Sequence, residues 1–187
     1  MQRRKFIQTS LLAAPLAGMV AASCIESEAG EPPYDNSFVV KSGEDRFNEP
    51  IKYRGISPNL VKISARDTSG QFSVFEYEGL AKMGPDLHVH LQQDETFYIL
   101  EGEYLFQVGG EKHTLKTGDT IFLPRNIPHT WLQLTDRGKL LYVLQPAGKM
   151  EEFFKQMNSL TGIPSKEVVE KIHEEHVMKV VGPPLSV

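Results

Sequence analysis

Cysteine is almost absent from this sequence, and so is any excess of positive charge. The single cysteine among 187 residues excludes a disulfide within the chain. Lysine and arginine number 20 against 24 aspartate and glutamate residues, and this balance argues against a nucleic acid partner. Runs of like charge and internal repeats are also missing from the body of the chain. The length and composition therefore predict one domain of an ordinary soluble protein.

Long hydrophobic runs are missing as well. The apolar stretch at residues 10–22 is too short to cross a bilayer, which needs roughly 20 residues. It follows the basic residues Arg3, Arg4 and Lys5 and leads into Cys24. Residues 1–24 are therefore predicted to be an export signal. The arginine pair is also similar to a twin-arginine signal, which exports proteins already folded.

Cys24 has two interpretations. The segment Ala21–Cys24 resembles a bacterial lipobox, in which case Cys24 is acylated after cleavage and attaches the protein to a membrane. Alternatively, Cys24 is incidental and is discarded with the signal peptide. Both interpretations place the protein in the periplasm or elsewhere in the cell envelope. Residues 25–36, rich in Glu, Gly, Pro and Ser, are predicted to be a flexible tether.

Residues 37–147 carry the pattern of a β domain. Short alternating runs are separated by turn signals such as Gly109-Gly110, which predicts an all-β sandwich or barrel with a central pocket. The expected strands are 38–41, 60–65, 71–77, 96–100, 104–108, 111–115, 120–123, 130–134 and 140–144. Residues 148–187 change character and are predicted to form a helical extension. Its helices, at 150–157 and 165–176, are expected to pack on the barrel exterior or on a partner subunit.

Three side chains suited to metal binding stand close together in the sequence. Successive side chains of a strand point to opposite faces, so His88 and His90 project to the same side. A turn and a returning strand can bring Glu95 back beside them. A second block ends a strand at Pro124, turns, and opens a new strand at His129. Three imidazoles and a carboxylate form a site for a divalent ion.

These two blocks resemble the paired motifs of the cupin superfamily. Besides the four candidate ligands, the chain matches the motifs at Gly102, Gly118 and Pro124. The chain differs from the motifs at three positions. Fewer residues separate Gly84 from His88 than in the family motif, Asn126 replaces a glycine, and Gln133 replaces an asparagine. Asn126 is still expected to make the turn, because asparagine tolerates positive φ. The resemblance implies a cupin double-stranded β-helix, a jelly-roll barrel, and the tail is similar to that of bacterial flavonol dioxygenase-like cupins.

The resemblance also implies a chemistry. One divalent ion, whether Fe, Mn, Ni, Co, Cu or Zn, would be held by His88, His90, Glu95 and His129, with open positions for a small-molecule substrate. In flavonol-cleaving cupins the residue matching Glu95 serves as a general base. From strand periodicity, an apolar pocket is predicted from side chains that share a face with the ligands. Those side chains are Phe97, Ile99, Trp131 and Gln133.

The remaining histidines are expected on the surface. His113 lies near a hairpin, and His173 and His176 are neighbours on one face of the last helix. Asp86 and Asp94 are ranked below Glu95, because only Glu95 fits the motif. Three functions stay open. The first is a metal-dependent dioxygenase acting on a small oxygen-rich substrate, with aromatic compounds of the flavonol type among the candidates. The second is a non-redox isomerase or lyase, and the third is a module that binds metal or a small ligand without turnover. The resemblance also implies a homodimer, because cupin subunits usually associate with one another through barrel edges and terminal segments.

Overall fold

The computed structural model describes residues 37–162 and 164–186. The predicted export signal, the lipidation site Cys24 and the tether lie outside these residues. Across the described residues, none of the helices has the length and apolar character needed to span a membrane.

The described chain forms eleven strands and two helices. The strands are β1 (Ile51–Tyr53), β2 (Ser57–Ile63), β3 (Ser73–Gly79), β4 (Leu87–His90), β5 (Asp94–Glu101), β6 (Glu103–Val108), β7 (Glu111–Lys116), β8 (Thr120–Leu123), β9 (His129–Gln133), β10 (Gly138–Gln145) and β11 (Met178–Gly182). The helices are α1 (Met150–Ser159) and α2 (Lys166–Glu175). One antiparallel sheet has the order β1-β2-β3-β10-β5-β8 and the other the order β11-β4-β9-β6-β7. The mostly-β architecture with C-terminal helices confirms the predicted fold class.

Strand alternation decides which side chains enter the core. Along β5, Phe97 and Ile99 are buried while Tyr98 between them is 44% exposed, as the period of two requires. Buried aromatic side chains from both sheets meet in the centre, where the ring centroids of Phe97 and Phe106 lie 5.2 Å apart. The Phe97 ring also stacks on Tyr142 of β10 at 5.1 Å. The inner faces of the two sheets therefore share one aromatic core.

Three features of the fold differ from the sequence prediction. Residues 38–41 form no strand. Strands β1 and β11 were not predicted, because each is short and lies at the edge of its sheet, where its pairing depends on distant residues. Strand β11 runs antiparallel to β4, with Val180 opposite His88 and Met178 opposite His90. The C-terminal segment thus pairs with the strand that carries two candidate ligands.

The two helices form where the sequence predicts them, but not on the barrel exterior alone. Ser165 caps α2 by accepting a hydrogen bond from the Val168 backbone N–H at 3.4 Å. On α1, the Phe154 ring packs edge-on against Phe75 of the barrel at 5.2 Å. Side chains from both helices line the cavity that contains the candidate ligands. The helices therefore pack on the barrel, as expected, and they also supply part of the cavity wall.

Candidate metal centre

Four predicted ligands converge in the structure. His88 and His90 lie on β4, Glu95 on β5 and His129 on β9, and their ligand atoms all lie within 4.8 Å of one another. His88 and His129 face each other across paired strands. The turn before β9 is tied to the ligand strand, because Asn126 donates its backbone N–H to the His90 carbonyl at 2.8 Å. Asn126 has φ 65°, so its predicted positive φ is confirmed.

Backbone carbonyls orient two of the imidazoles. The Nδ1 atom of His88 lies 2.8 Å from the Asp86 carbonyl oxygen, and that of His129 lies 2.9 Å from the Ile127 carbonyl oxygen. A carbonyl oxygen only accepts hydrogen bonds, so each Nδ1 carries the proton. The Nε2 lone pair of each ring is then free to bind a cation. This is the tautomer that outer hydrogen bonds usually select in metal-binding histidines.

The side chain of Gln93 orients the third imidazole, that of His90. Its amide nitrogen donates to the Pro146 and Ala147 carbonyls at 3.0 and 2.7 Å. Its amide oxygen is therefore left to accept from His90 Nδ1, at 3.3 Å. The sequence analysis missed Gln93, which lies between the two motif strands without a spacing signal. The two carbonyls that it binds are more than fifty positions away in the chain, so only the folded structure reveals its role.

The electrostatics of the cluster leave the imidazoles ready to bind a cation. Burial lowers the pKa of His90 to about 3, and the neighbouring His129 adds to the effect. Burial likewise holds the pKa of His88 well below its ordinary value. The Glu95 carboxylate lies 3.4 Å from His129 Nε2 and 4.0 Å from His90 Nε2. Three imidazoles and one carboxylate are a donor set that suits a borderline divalent ion.

One buried atom tests whether a cation fits this cluster. His129 Nε2 is buried, and among the described residues it has no hydrogen-bond partner. A buried polar atom without a partner costs roughly 1–3 kcal/mol, so such atoms usually have a further ligand. A divalent ion at the centre of the four ligand atoms would satisfy it. The residues therefore fit the ion that the sequence motifs predict, although the chemistry of the four donors does not select one metal.

A cavity of about 1070 Å³ lies beside the candidate ligands. His88, His90 and Glu95 line it together with predicted pocket residues Phe97 and Trp131. The rest of the wall is largely apolar and aromatic, with Tyr53, Tyr77, Tyr142, Phe153 and Phe154 among the lining side chains. This volume is at the upper end for sites that bind small molecules. The cavity therefore has room for an aromatic ligand of several rings.

Two predicted pocket residues lie in the core instead. Ile99 is fully buried among the side chains between the sheets. The Gln133 amide nitrogen donates to the Gly79 and Thr135 carbonyls at 3.3 and 2.9 Å. Its oxygen accepts a hydrogen bond from the Tyr104 hydroxyl at 3.3 Å. Strand period correctly placed both side chains on the inner face, but it does not indicate how far along the strand the cavity extends.

The other histidines and aspartates named in the sequence analysis lie outside the ligand group. His113 is exposed, as predicted, and Asp94 forms an ion pair with Arg125 at 2.6 Å. Asp86 contributes its backbone carbonyl to His88. His173 and His176 are only 7% exposed, so the expectation that they lie on the surface is wrong. Burial of the helix face against the barrel explains the difference, and it lowers the pKa of His173.

Comparisons with known proteins support a family assignment. Residues 74–144, which include all four candidate ligands, match the family model described as a cupin domain. An uncharacterised protein of Aquifex aeolicus is 30% identical over 88 residues, which are 47% of this chain and 69% of that protein. The chain belongs to the cupin family. Its two antiparallel sheets and C-terminal helices are consistent with the cupin jelly roll.

Another relative has a named enzymatic activity but is much longer than this chain. Quercetin 2,3-dioxygenase of Bacillus subtilis is 31% identical over 146 residues, which cover 78% of this chain. The chain spans only 40% of the length of that enzyme. The crystal structure of a predicted oxalate decarboxylase from Thermotoga maritima superposes with a TM-score of 0.51 at 22% identity, over 59% of this chain and 99% of that one. The structural likeness supports the fold alone.

Proposed function

We propose that this protein is a metal-dependent dioxygenase that acts on a small, oxygen-rich aromatic substrate of the flavonol type. The observation that carries the proposal is the convergence of three imidazoles and one carboxylate beside a large cavity with aromatic walls. The similarity to quercetin 2,3-dioxygenase supports the substrate class. When bound, a redox-active divalent ion such as Fe, Mn, Ni, Co or Cu supplies the activation of dioxygen and polarises the substrate oxygens.

The chain's own residues bind and deprotonate the substrate. Aromatic walls such as Phe97, Trp131 and Tyr142 exclude water and hold a planar ring system by burial of apolar area. The Glu95 carboxylate accepts the proton of the substrate hydroxyl as a general base. Glu95 suits this role because it is buried among imidazoles at the cavity wall.

We also propose that the protein is exported to the cell envelope and forms a homodimer. The sequence of residues 1–24 supports export, and acylation of Cys24 would add a lipid anchor. Fractionation of cells into periplasm, membrane and cytoplasm, with a Cys24→Ala variant beside the wild type, tests both points. Sedimentation of the purified protein tests the dimer. Recovery of the mature chain only in the cytoplasm, or sedimentation as a monomer, contradicts the respective proposal.

Oxygen uptake is the direct test of the proposed reaction. The purified protein is stripped of metal, reloaded in separate samples with Fe, Mn, Ni, Co, Cu or Zn, and supplied with flavonols. We expect stoichiometric uptake of dioxygen with at least one redox-active metal and none with zinc. The His129→Gln variant is expected to lose its bound metal, since one of the four ligands is removed. Its rate of oxygen uptake is expected to fall by at least about 100-fold. His113→Gln, at an exposed histidine, is the matched control and is expected to keep both.

Two results would contradict the proposal. Turnover under anaerobic conditions would indicate an isomerase or lyase that uses the ion as a Lewis acid. Metal binding without turnover of any flavonol, under air and with every metal, would indicate a binding module. Elemental analysis of the protein as purified from its natural compartment identifies the native metal.

A further inference from the structure

A fourth imidazole lies at the edge of the candidate metal centre. His173 is on α2, where its ring centroid lies 6.2 Å from that of His88. The ring packs edge-on against Phe153 of α1 at 4.9 Å and forms part of the cavity wall. It is not among the four residues whose ligand atoms lie within 4.8 Å of one another. His173 therefore faces the space beside the ligands rather than the ligand group itself.

The hydrogen bonding of His173 determines what it can offer a ligand. Its Nδ1 lies 2.7 Å from the Val169 carbonyl oxygen, one turn earlier in the same helix. That carbonyl only accepts, so Nδ1 carries the proton of the neutral ring. Nε2 is then the unprotonated ring nitrogen, and no hydrogen bond to it forms among the described residues. Since the ring lines the cavity, the Nε2 lone pair is available to a hydrogen-bond donor bound there.

His176 provides an internal comparison. It is buried to the same extent, its Nδ1 lies 2.8 Å from the Ile172 carbonyl oxygen, and its ring packs on Phe153 at 5.6 Å. However, His176 is not part of the cavity wall. A purely structural role in holding α2 against α1 would be shared by the two histidines. Of the two histidines, His173 is the one that lines the cavity beside the ligand group.

We propose that His173 determines substrate specificity by accepting, at Nε2, a hydrogen bond from a substrate hydroxyl other than the one deprotonated at the metal centre. This inference rests on the proposed function and narrows its substrate class to aromatic compounds with at least two hydroxyl groups. An acceptor in a mainly apolar wall selects such ligands, because leaving it unpaired beside an apolar ring is unfavourable. His173 is thus a positioning residue for the substrate.

Binding to the zinc-loaded protein tests this without turnover. Trp131 is the only tryptophan of the chain and lies in the cavity wall, so quenching of its fluorescence reports cavity occupancy. The probes are quercetin, which has several hydroxyls, and 3-hydroxyflavone, which has one. We expect His173→Phe to bind quercetin about fivefold more weakly than the wild type, the effect of one lost hydrogen bond. Affinity for 3-hydroxyflavone should not fall, because this probe leaves the His173 acceptor unpaired in the wild type.

His176→Phe is the matched control, since it also loses a backbone hydrogen bond on the same helix. It should bind both probes like the wild type, with equal zinc content. His173→Gln keeps an acceptor and should recover most of the lost affinity. Equal quercetin affinity in the two phenylalanine variants overturns the inference, and so does equal weakening for both probes or a wild type that binds neither. If quercetin binding depends on His173 but oxygen uptake is absent, the proposed reaction fails and the inference stands.

Discussion

Gln93 offers the sharpest test of how the fold prepares the metal centre. Replacing it with leucine keeps the approximate size of the side chain but removes its amide. Three hydrogen bonds are lost, one to His90 and two to the carbonyls of Pro146 and Ala147. The His90 ring is then free to rotate or to change tautomer. The four ligands themselves are untouched, so any change in metal affinity comes from their orientation.

Two magnitudes follow from these contacts. Loss of an outer hydrogen bond to a metal-binding histidine typically weakens metal affinity by about 10- to 100-fold, or ~1.4–2.7 kcal/mol. The Pro146 and Ala147 carbonyls lose their donor inside the protein, where Gln93 is buried. An unsatisfied buried acceptor costs about 1–3 kcal/mol, so the metal-free protein should also unfold at lower urea concentration.

The assay is competition for zinc between the protein and a chelator of known affinity, followed by urea unfolding of the metal-free protein. Gln92→Leu is the matched control, because Gln92 is the adjacent residue and is exposed. It should leave both quantities within experimental error of the wild type. If Gln93→Leu and Gln92→Leu bind zinc equally well, the orientation of His90 by Gln93 does not matter and the reasoning is refuted.

Two further predictions concern stability. A Cβ at Gly84 would overlap the Trp131 backbone carbonyl, so Gly84→Ala should destabilise the protein by ~1–3 kcal/mol in urea unfolding, whereas Gly110→Ala, in open space, should not; equal effects would contradict this. In the metal-free protein the pKa values of His88 and His90 lie below those of the unfolded chain, near 6.5. The unfolded chain therefore takes up protons first, so stability is constant above pH 6.5 and falls below it. The slope approaches about 1.4 kcal/mol per pH unit for each imidazole. Urea midpoints at pH 7.5, 6.5 and 5.5 check this, and a midpoint that does not fall toward pH 5.5 would contradict it.

Much of the fold was predictable because it depends on local repetition. A strand period of two put His88 and His90 on one face and Tyr98 on the outside, and the structure has both arrangements. The tolerance of asparagine for positive φ predicted the turn at Asn126. Each of these properties follows from the covalent geometry of a few neighbouring residues. The identity of the four converging side chains was predictable too, from the spacing within two sequence blocks and from their resemblance to a known family.

The residues that support the centre were not predictable in the same way. Helical period places His173 and His176 on one face of α2, but it does not say whether that face meets water or a barrel. The role of Gln93 needs carbonyls more than fifty residues away, and β11 forms only when residues 178–182 reach the edge of β4. Local sequence thus determined the strands, the turns and the faces on which the ligands lie. Only the tertiary structure decided what surrounds them, because contacts between distant segments depend on how the whole chain closes around its core.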